Sequence, residues 1–362
     1  MSKYQITLTP VDKFFFGGDM TFQVGNNEKD DFNTQFMSYI IKSSMFPQQT
    51  SLLGMLRFLI LRNGGNEVFA NGHIVNKDNS NKLIGEHSFS VNHDHHENEF
   101  GVIKGISHVK VRRTKGNVTT DLEFAPLFKE LAFDDNSIGT YNLKDFCIPN
   151  ISKKEYDAKE GLKLELTDGE NRYGLKAVFK EDRRIGNNRN IKTGHIDEGA
   201  LFKQVSYRFN TEEANYCFVF EAEVDDSMAL EDYDRQIISV GADNSQFVLG
   251  ITKDIKTNNI QPLHNAIYLL SPTFLTREEA RKATFAVTKL MPFRFLTERE
   301  GNKEDDNRSY HILNSKLRRS DRFELYAPGS VFYFRDEAQK QTFINIIENK
   351  REFRQIGYNE YK

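Results

Sequence analysis

The sequence predicts an α+β protein with antiparallel sheets and long loop insertions. Segments that alternate apolar and polar residues recur along the chain, turn signals separate several of them as hairpins, and helical segments are fewer and interspersed. Two split β-α-β units, one in each half, account for this pattern. The 362 residues suffice for two domains. Because residues 134–172 turn polar, we predict domains at 1–150 and 151–362.

The first half opens with a strand and continues to a helix. Residues 4–10 alternate in polarity and predict a strand. Residues 47–61 predict a helix with a broad apolar surface, capped by Thr50 or Ser51. Gly54 lies inside this helix at a cost of about 1 kcal/mol relative to Ala, which predicts that another backbone approaches it.

Later elements follow from the same patterns. A strand with a basic end is predicted at 102–113, and a second strand at 216–224. Turn residues predict hairpins, and apolar periodicity predicts two amphipathic helices. The hairpins pair 237–240 with 247–251 and 323–326 with 331–334, and the helices span 278–290 and 337–353.

Composition excludes several classes of protein. Hydrophobic residues make up 38%, and no run of 18 apolar residues occurs, which argues against a membrane-spanning helix. The first residues lack the apolar core of a secretion signal, so we expect a cytoplasmic protein. Cys147 and Cys217 are far apart without a CxxC pattern, so neither a disulfide framework nor a zinc knuckle is expected, and no cofactor is predicted.

Two segments suggest metals, although a simpler interpretation is favoured for each. His87, His93, His95 and His96 could bind zinc, but they lack helical i, i+4 spacing, which favours an exposed polar loop. The sequence 17–19 (Gly-Gly-Asp) resembles the metal-binding turn of nucleotide cyclases and polymerases. No partner carboxylate is evident, so a turn between strands is the better interpretation.

A basic, Gly- and Asn-rich segment at 183–199 is the strongest candidate for RNA binding. Arg and Lys can neutralise phosphates, Gly allows close approach of a backbone, and Asn can pair with a base edge or a 2′-hydroxyl. A flexible basic loop is the alternative. The residues expected to contact RNA are Arg184, Gly186, Asn188, Arg189, Lys192, Thr193 and Gly199.

Two further basic groups could extend this surface. Lys110, Arg112, Arg113 and Lys115 end a strand, and Lys316, Arg318 and Arg319 precede the second hairpin. Each group alone is typical of a solvated face, but together they are what a groove along a phosphate backbone requires. Nucleophile, P-loop and dinucleotide motifs are absent, so no enzyme is predicted. The alternative is a metal-independent ribonuclease that uses a histidine such as His195.

Four segments in a fixed order resemble one family. They are 10–18, in which Pro and Asp lead to paired aromatics and glycines; 47–57, with Pro-x-x-Thr-x-x-x-Gly-x-x-Arg; 184–202, with Arg-x-Gly, Thr and Glu-Gly-x-Leu-Phe; and 327–334, a glycine loop followed by a strand. The chain resembles the RAMP superfamily and, within it, the third subunit of the Cmr complex, the type III-B CRISPR effector.

This resemblance implies a specific role. It implies two ferredoxin-like (RRM-like) domains in a non-catalytic subunit that holds the 5′ tag of the CRISPR RNA, docks the large polymerase-like subunit and abuts backbone RAMP subunits. Arg57, Gly329 and Ser330 are added to the residues expected to contact RNA. For Arg57, contact with a partner subunit is the alternative. The end of the chain, 356–359, lacks the second glycine of the family's Gly-aromatic-Gly, which puts a role for this tail in question.

Overall fold

A computed structural model of the chain describes residues 1–18, 20–25, 36–86, 88–91, 100–127, 156–157, 161–186, 194, 202–253, 266–298 and 317–362. The helices are α1 Gln49–Asn63, α2 Lys77–Ile84, α3 Leu175–Val178, α4 Arg277–Ala280, α5 Glu337–Glu348 and α6 Arg351–Gln355, with a 3₁₀ turn at Leu230–Tyr233. The strands are β1 Ser2–Pro10, β2 Met20–Gly25, β3 Phe36–Lys42, β4 Phe69–Ala70, β5 His73–Ile74, β6 Ile103–Ile106, β7 Lys110–Lys115, β8 Val118–Phe124, β9 Tyr156–Asp157, β10 Gly161–Leu162, β11 Glu165–Thr167, β12 Arg172–Gly174, β13 Phe179–Gly186, β14 Phe202–Phe209, β15 Asn215–Val224, β16 Ile237–Ser239, β17 Gln246–Lys253, β18 Ala266–Tyr268, β19 Phe285–Val287, β20 Leu290–Phe293, β21 Leu296–Glu298, β22 Leu317–Arg319, β23 Phe323–Tyr326 and β24 Val331–Tyr333.

An antiparallel sheet with β1 near its centre organises the fold. Its strand order is β12-β11-β8-β7-β15-β1-β17-β16, and β6 also pairs with β15. The predicted alternation of β1 is confirmed, because Tyr4, Ile6 and Leu8 are fully buried on one face. Ile6 lies opposite Phe220 of β15 and Ile251 of β17. Helix α1 contributes leucines to the same hydrophobic core.

Strands from both sides of residue 150 share this sheet. Both neighbours of β1 come from the second half of the chain, β15 at Asn215–Val224 and β17 at Gln246–Lys253. A boundary at residue 150 would separate strands that are hydrogen-bonded to one another. The polar composition of 134–172 therefore does not mark a division between sheets.

A second sheet packs its phenylalanines against the first. Its order is β13-β14-β3-β2, and the β14–β3 pair is parallel, the exception to an otherwise antiparallel set of described strands. Phe14 joins the two sheets, since its N–H donates to the Tyr207 carbonyl and its ring contacts Phe179 and Phe218. Phe-rich composition thus serves core packing here.

The C-terminal part forms a small sheet covered by a helix. The order is β18-β24-β19, and Phe332 of β24 packs on Phe343 of α5 with ring centroids 4.8 Å apart. The chain then returns to this sheet, because Lys362 and Tyr268 exchange two backbone hydrogen bonds at 2.9 Å. The last residues are therefore an integral part of the fold.

Two predicted elements are wrong. The helix predicted at 278–290 ends at Ala280, because Phe285–Val287 instead forms β19, which pairs with β24. The hairpin at 323–334 has the predicted strands but not the predicted pairing, since β23 pairs with β20 and β24 with β18 and β19. Tertiary partners, which local patterns do not reveal, decided both outcomes.

The other predicted elements are confirmed in outline. The helix at 47–61 is α1, the helix at 337–353 is divided into α5 and α6, and 237–251 is a hairpin of β16 and β17. No helix among the described ranges combines the length and apolarity needed to cross a membrane.

Candidate nucleic-acid interface

A large cleft opens where α1, the second sheet and the β20–β23 ribbon meet. Its volume is about 2820 Å³. The beginning of α1 lines one side, β13 and β14 line another, and 289–295 lines a third. Ligand pockets for small molecules usually span about 300–1,000 Å³, so this cleft is larger than a small-molecule site needs.

The cleft is strongly basic although the chain is not. Among the described residues its lining contains eleven Lys and Arg side chains and two Glu side chains. The whole chain has 49 basic and 52 acidic residues and a formal net charge of −3. Positive charge is thus concentrated in this cleft, as contact with a phosphate backbone requires. The eleven cations are Lys42, Arg57, Arg62, Lys163, Lys176, Lys180, Arg183, Arg208, Lys289, Arg294 and Arg322.

The β13 wall holds two of these cations through one carboxylate. Glu181 accepts hydrogen bonds from Arg183 at 2.6 and 2.9 Å and forms an ion pair with Lys42 at 2.9 Å. Arg183 and Lys42 together lower the pKa of the Glu181 carboxyl to about 2. At neutral pH Glu181 is therefore ionised, and it fixes the direction of both cations at the cleft wall.

The structure places Arg183 rather than Arg184 in the cleft lining. Successive side chains of a strand point to opposite faces. Arg184 accordingly lies on the other face of β13, where it forms an ion pair with Asp182 at 3.4 Å. Lys180 on that same face does line the cleft, so the predicted contact of Arg184 with RNA stays a prediction, and Arg183 is the arginine of this pair that the lining includes.

Gly186 and Arg57 were both expected to contact RNA, but the structure places them differently. A Cβ on Gly186 would lie 2.2 Å from the ring of Phe202, so this glycine makes room for an aromatic side chain within the sheet. Arg57 lines the cleft, and its guanidinium lies 5.5 Å from the ring centre of Phe100. Arg57 therefore remains a candidate for RNA contact, whereas Gly186 has a packing role.

The glycine loop at Gly329 is buried. Gly329 has φ +86°, and a Cβ there would lie 2.8 Å from the Ala125 carbonyl oxygen. Ser330 is 0% exposed, and its hydroxyl accepts the Lys289 N–H at 3.2 Å. The neighbouring Pro328 does line the cleft. Both residues therefore shape the loop from inside, and direct contact with RNA would require this loop to open.

The remaining predicted contacts lie beyond what the structure describes. Asn188, Arg189, Lys192, Thr193 and Gly199 fall outside the described residues, as do Lys316 and His195. Arg318 and Arg319 lie in β22, which pairs with β21, and only their backbone is described. The segments that flank this ribbon contribute Arg294 and Arg322 to the cleft that Arg183 also lines. Arg183 of the first predicted basic region and two neighbours of the second, Arg294 and Arg322, therefore line one cleft, while the convergence of the two regions themselves stays a prediction.

The basic side chains on β7 interact with other residues of the same sheet. Arg112 donates to both carboxylate oxygens of Asp121 at 2.7 and 2.9 Å, and Lys110 forms an ion pair with Glu123 at 2.9 Å. Arg113 lies over the ring of Tyr173 at 5.3 Å. These side chains pair along the sheet, so the hypothesis that they extend an RNA groove gains no support.

Several cleft cations carry no cluster signal in the sequence. Lys42, Lys163, Arg208 and Arg294 each stand apart from other basic residues or beside acidic and apolar ones. They come together only because the end of β3, the segment before β11, β14 and the segment after β20 meet in space. Arg322 differs from these four, because it lies only three positions after the predicted basic group at 316–319.

Most of the residues considered for metal binding lie outside the described ranges. His87, His93, His95 and His96 lie outside these ranges, as do Asp19 and Cys147. No group of three metal-binding side chains occurs within them. Cys217 is a free, partly buried thiol, and burial raises its pKa to about 11.

Comparison with solved structures identifies the architecture. The chain resembles a chain in the cryo-EM structure of the Type III-B Cmr-beta bound to cognate target RNA and AMPPnP, state 1, with a TM-score of 0.51, 12% identity, and 99% of this chain and 95% of that chain covered. It also resembles a chain in the cryo-EM structure of the Type III-B Cmr-beta bound to cognate target RNA, with a TM-score of 0.52, 13% identity and coverage of 99% and 96%. At these identities the likeness establishes a shared fold.

Comparison with sequence families is more specific. No curated protein matches the chain at a significant level. The family model described as "CRISPR-associated protein (Cas_Cmr3)" matches residues 150–361, more than half of the chain. Two of the four resemblance segments, at 184–202 and 327–334, lie within that match. The chain belongs to the Cas_Cmr3 family of CRISPR-associated proteins.

Proposed function

We propose that this protein is a non-catalytic, RNA-binding subunit of a type III-B CRISPR effector complex. In this role it holds the 5′ tag of the CRISPR RNA and docks the large polymerase-like subunit and backbone RAMP subunits. The observation that carries the proposal is the composition of the cleft. Among the described residues its lining contains eleven cations and two carboxylates, although the chain has a net charge of −3.

The cleft offers what single-stranded RNA needs besides charge. Its lining includes the hydroxyls of Ser44, Thr50 and Ser239, which can bond to 2′-hydroxyls and phosphates, and the partly exposed ring of Phe46. Both carboxylates in the lining are paired with cations, Glu181 as described and Glu165 with Arg172 at 3.3 Å. Repulsion of a polyanion is therefore weak in this cleft.

A protein partner is favoured by two apolar side chains of the cleft lining. Ile237 is 59% exposed and Leu290 is 47% exposed. Large apolar side chains are disfavoured in water, and they gain free energy when a partner covers them. These positions support docking of neighbouring subunits beside the RNA.

The strand order supports a ferredoxin-like first unit. In the strand order β17-β1-β15-β7 each strand is antiparallel to its neighbours. Along the chain, α1 lies between β1 and the strands β6 and β7. The 3₁₀ turn at Leu230–Tyr233 lies between β15 and β17, where a ferredoxin-like unit has its second helix. This is the arrangement of a split β-α-β unit. We extend the proposal to a second, C-terminal unit of this kind.

Removal of two cleft arginines tests RNA binding. Arg208 and Arg294 are exposed and line different walls. The affinity for single-stranded RNA falls as salt rises, and the slope of log affinity against log salt concentration reports the number of phosphate contacts. Replacing both arginines with Ala should reduce the magnitude of this slope by about 1.4, at about 0.7 per lost phosphate contact. Fluorescence anisotropy of labelled repeat-derived RNA at several salt concentrations measures this slope on the full chain.

A matched pair of surface arginines provides the control. Arg281 and Arg351 are exposed and absent from the cleft lining. Replacing both with Ala changes the net charge equally but should leave the slope unchanged. Equal effects of the two pairs would show that the cleft is not the binding site. In the same samples the RNA should remain intact; cleavage that His195→Ala abolishes would favour a ribonuclease instead.

A further inference from the structure

The β13 wall of the cleft carries a carboxylate between two exposed cations. Oε2 of Glu181 accepts from Nε and Nη2 of Arg183 at 2.9 and 2.6 Å, and Oε1 lies 2.9 Å from Nζ of Lys42. The side chains of Lys42 and Arg183 are 53% and 63% exposed, and that of Glu181 is 28% exposed. All three residues line the cleft, so a ligand in the cleft can reach both cations.

Three adjacent strands hold these groups in place. Glu181 of β13 lies directly opposite Tyr207 of β14, and Val205 of β14 lies beside Lys42 of β3. Nζ of Lys42 lies 5.9 Å from the centre of the Tyr207 ring, and the Tyr207 hydroxyl donates to Glu181 at 3.4 Å. Tyr207 is 1% exposed, so its ring is a fixed support. The sheet thus positions Lys42 and Glu181 before any ligand binds.

The surroundings of the Glu181 carboxylate suit a phosphate group equally well. Arginine binds carboxylates and phosphates through the same fork of N–H donors, and lysine adds a point charge. A phosphodiester carries one negative charge, as the Glu181 carboxylate does. It can therefore replace the carboxylate without changing the charge balance between the two cations.

Exchange of the carboxylate for a phosphate breaks only weak interactions. Ion pairs between exposed side chains contribute little to stability, because water and salt screen them. Glu181 pairs with β14 through its backbone. Rotation of its side chain therefore releases both cations and leaves the pairing of the strands intact.

We propose that Lys42 and Arg183 form a binding site for a backbone phosphate of RNA, and that the Glu181 carboxylate occupies this site in the free protein. The phosphate displaces the carboxylate when RNA binds. This inference rests on the proposed function in taking the ligand to be RNA. Binding then requires further contacts in the cleft that offset the loss of both ion pairs.

Glu181→Gln in the full chain tests the exchange. The variant no longer has two ion pairs to break, so its affinity for single-stranded RNA should rise roughly threefold to tenfold. The salt slope should stay unchanged, because the same phosphate is bound in both complexes. Fluorescence anisotropy of labelled repeat-derived RNA at several salt concentrations measures both quantities.

Glu165→Gln is the matched control, because it also removes one carboxylate from the cleft lining. Its partner Arg172 is absent from that lining and also donates to the Pro126 carbonyl at 3.0 Å. The affinity of this variant should rise less than that of Glu181→Gln. An equal rise in both variants would reduce the effect of Glu181 to general repulsion and overturn the inference.

Two other results would also contradict the inference. A steeper salt slope in Glu181→Gln would show that the wild-type carboxylate stays between its cations when RNA is bound. A lower affinity of this variant would show that Glu181 orients the cations for RNA instead of competing with it.

Retention on a heparin column separates this inference from the proposed function. Glu181→Gln should need more salt for elution than the wild type and Glu165→Gln, because heparin sulfates take the same two cations. This result in a protein that binds no RNA would support the anion site and overturn the proposed function. RNA binding that is unaffected by Glu181→Gln would leave the proposed function standing and overturn the site.

Discussion

At the residue scale, a buried charge network anchors the end of the chain. Glu123 is 9% exposed and meets Lys110 at 2.9 Å and Lys362. His108 is 5% exposed, and its Nδ1 lies 2.6 Å from Glu360. Although burial opposes the shift, the hydrogen bond from His108 and the charges of the two lysines lower the pKa of Glu123 well below its usual range. Against the same opposition from burial, Glu360 and Glu123 raise the pKa of His108.

Glu123→Gln should therefore destabilise the protein strongly. The substitution leaves Lys110 and Lys362 near a neutral amide in a buried site, and breaking a buried ion pair costs about 3–5 kcal/mol. Urea unfolding at pH 7 measures the free energy. Glu324, an exposed carboxylate of β23, is the control, and its change to Gln should stay within about 0.5 kcal/mol. A similar small effect at Glu123 would contradict the assignment.

The pH dependence has a defined sign. The pKa of Glu123 is lower in the folded than in the unfolded state, where it is about 4.3, so its contribution is complete above about pH 5 and is lost as the pH falls. The pKa of His108 is raised, so its contribution is complete below its unfolded value of about 6.5 and is lost as the pH rises through the folded value. Glu123→Gln should flatten the acid side of the stability profile.

At the element scale, the beginning of α1 lies a few residues from the position that the predicted caps imply. A cap at Thr50 or Ser51 was expected, but the helix begins at Gln49, which places both hydroxyl residues inside the first turn. Among the described residues no atom lies within 4 Å of where a Cβ on Gly54 would be, so the expected approach of another backbone finds no support there. At the other end of the chain, Asn359 stands where the family has a second glycine. Its φ of +56° shows that Asn adopts the left-handed conformation there.

Gln48→Asp should stabilise α1 while weakening RNA binding. Gln48 has φ −72° and ψ 145°, the extended conformation of an N-cap residue, so an Asp side chain at this position can accept an N–H of the first turn. We expect a gain of about 1 kcal/mol in the free energy of unfolding from thermal denaturation. We also expect weaker RNA binding by fluorescence anisotropy, because Gln48 lines the basic cleft and a carboxylate there repels RNA phosphates. Gln48→Ser supplies a cap without the charge and should retain more RNA affinity. Unchanged RNA binding in both variants would place the RNA phosphates elsewhere.

At the scale of the whole molecule, distant parts of the chain are interleaved. The strand β1 lies between β15 and β17, and the cleft draws its cations from segments between Lys42 and Arg322. The acidic residues that balance the net charge lie mostly outside the cleft lining. The protein can therefore have an overall negative charge and still present a basic surface to RNA.

A fragment that ends at residue 150 should not fold independently. It lacks β15 and β17, so both edges of β1 would lose their partners and the apolar face of Tyr4, Ile6 and Leu8 would be exposed. Circular dichroism and urea titration should show no cooperative transition, in contrast to the full chain. A cooperative transition of the fragment would support the boundary that composition predicts.

The sequence by itself determined the α+β class, the strand at β1, helix α1, the hairpin of β16 and β17, and the family. These depend on local periodicity, turn chemistry and short motifs, which neighbouring residues specify. Only the tertiary structure decided that β15 and β17 flank β1, that β23 and β24 pair with other strands, and that Arg183 rather than Arg184 faces the cleft. It also brought Lys42, Arg208 and Arg294 together and placed Tyr358 against α1. Contacts between segments hundreds of residues apart depend on packing and strand pairing across the whole chain, and no local pattern encodes them.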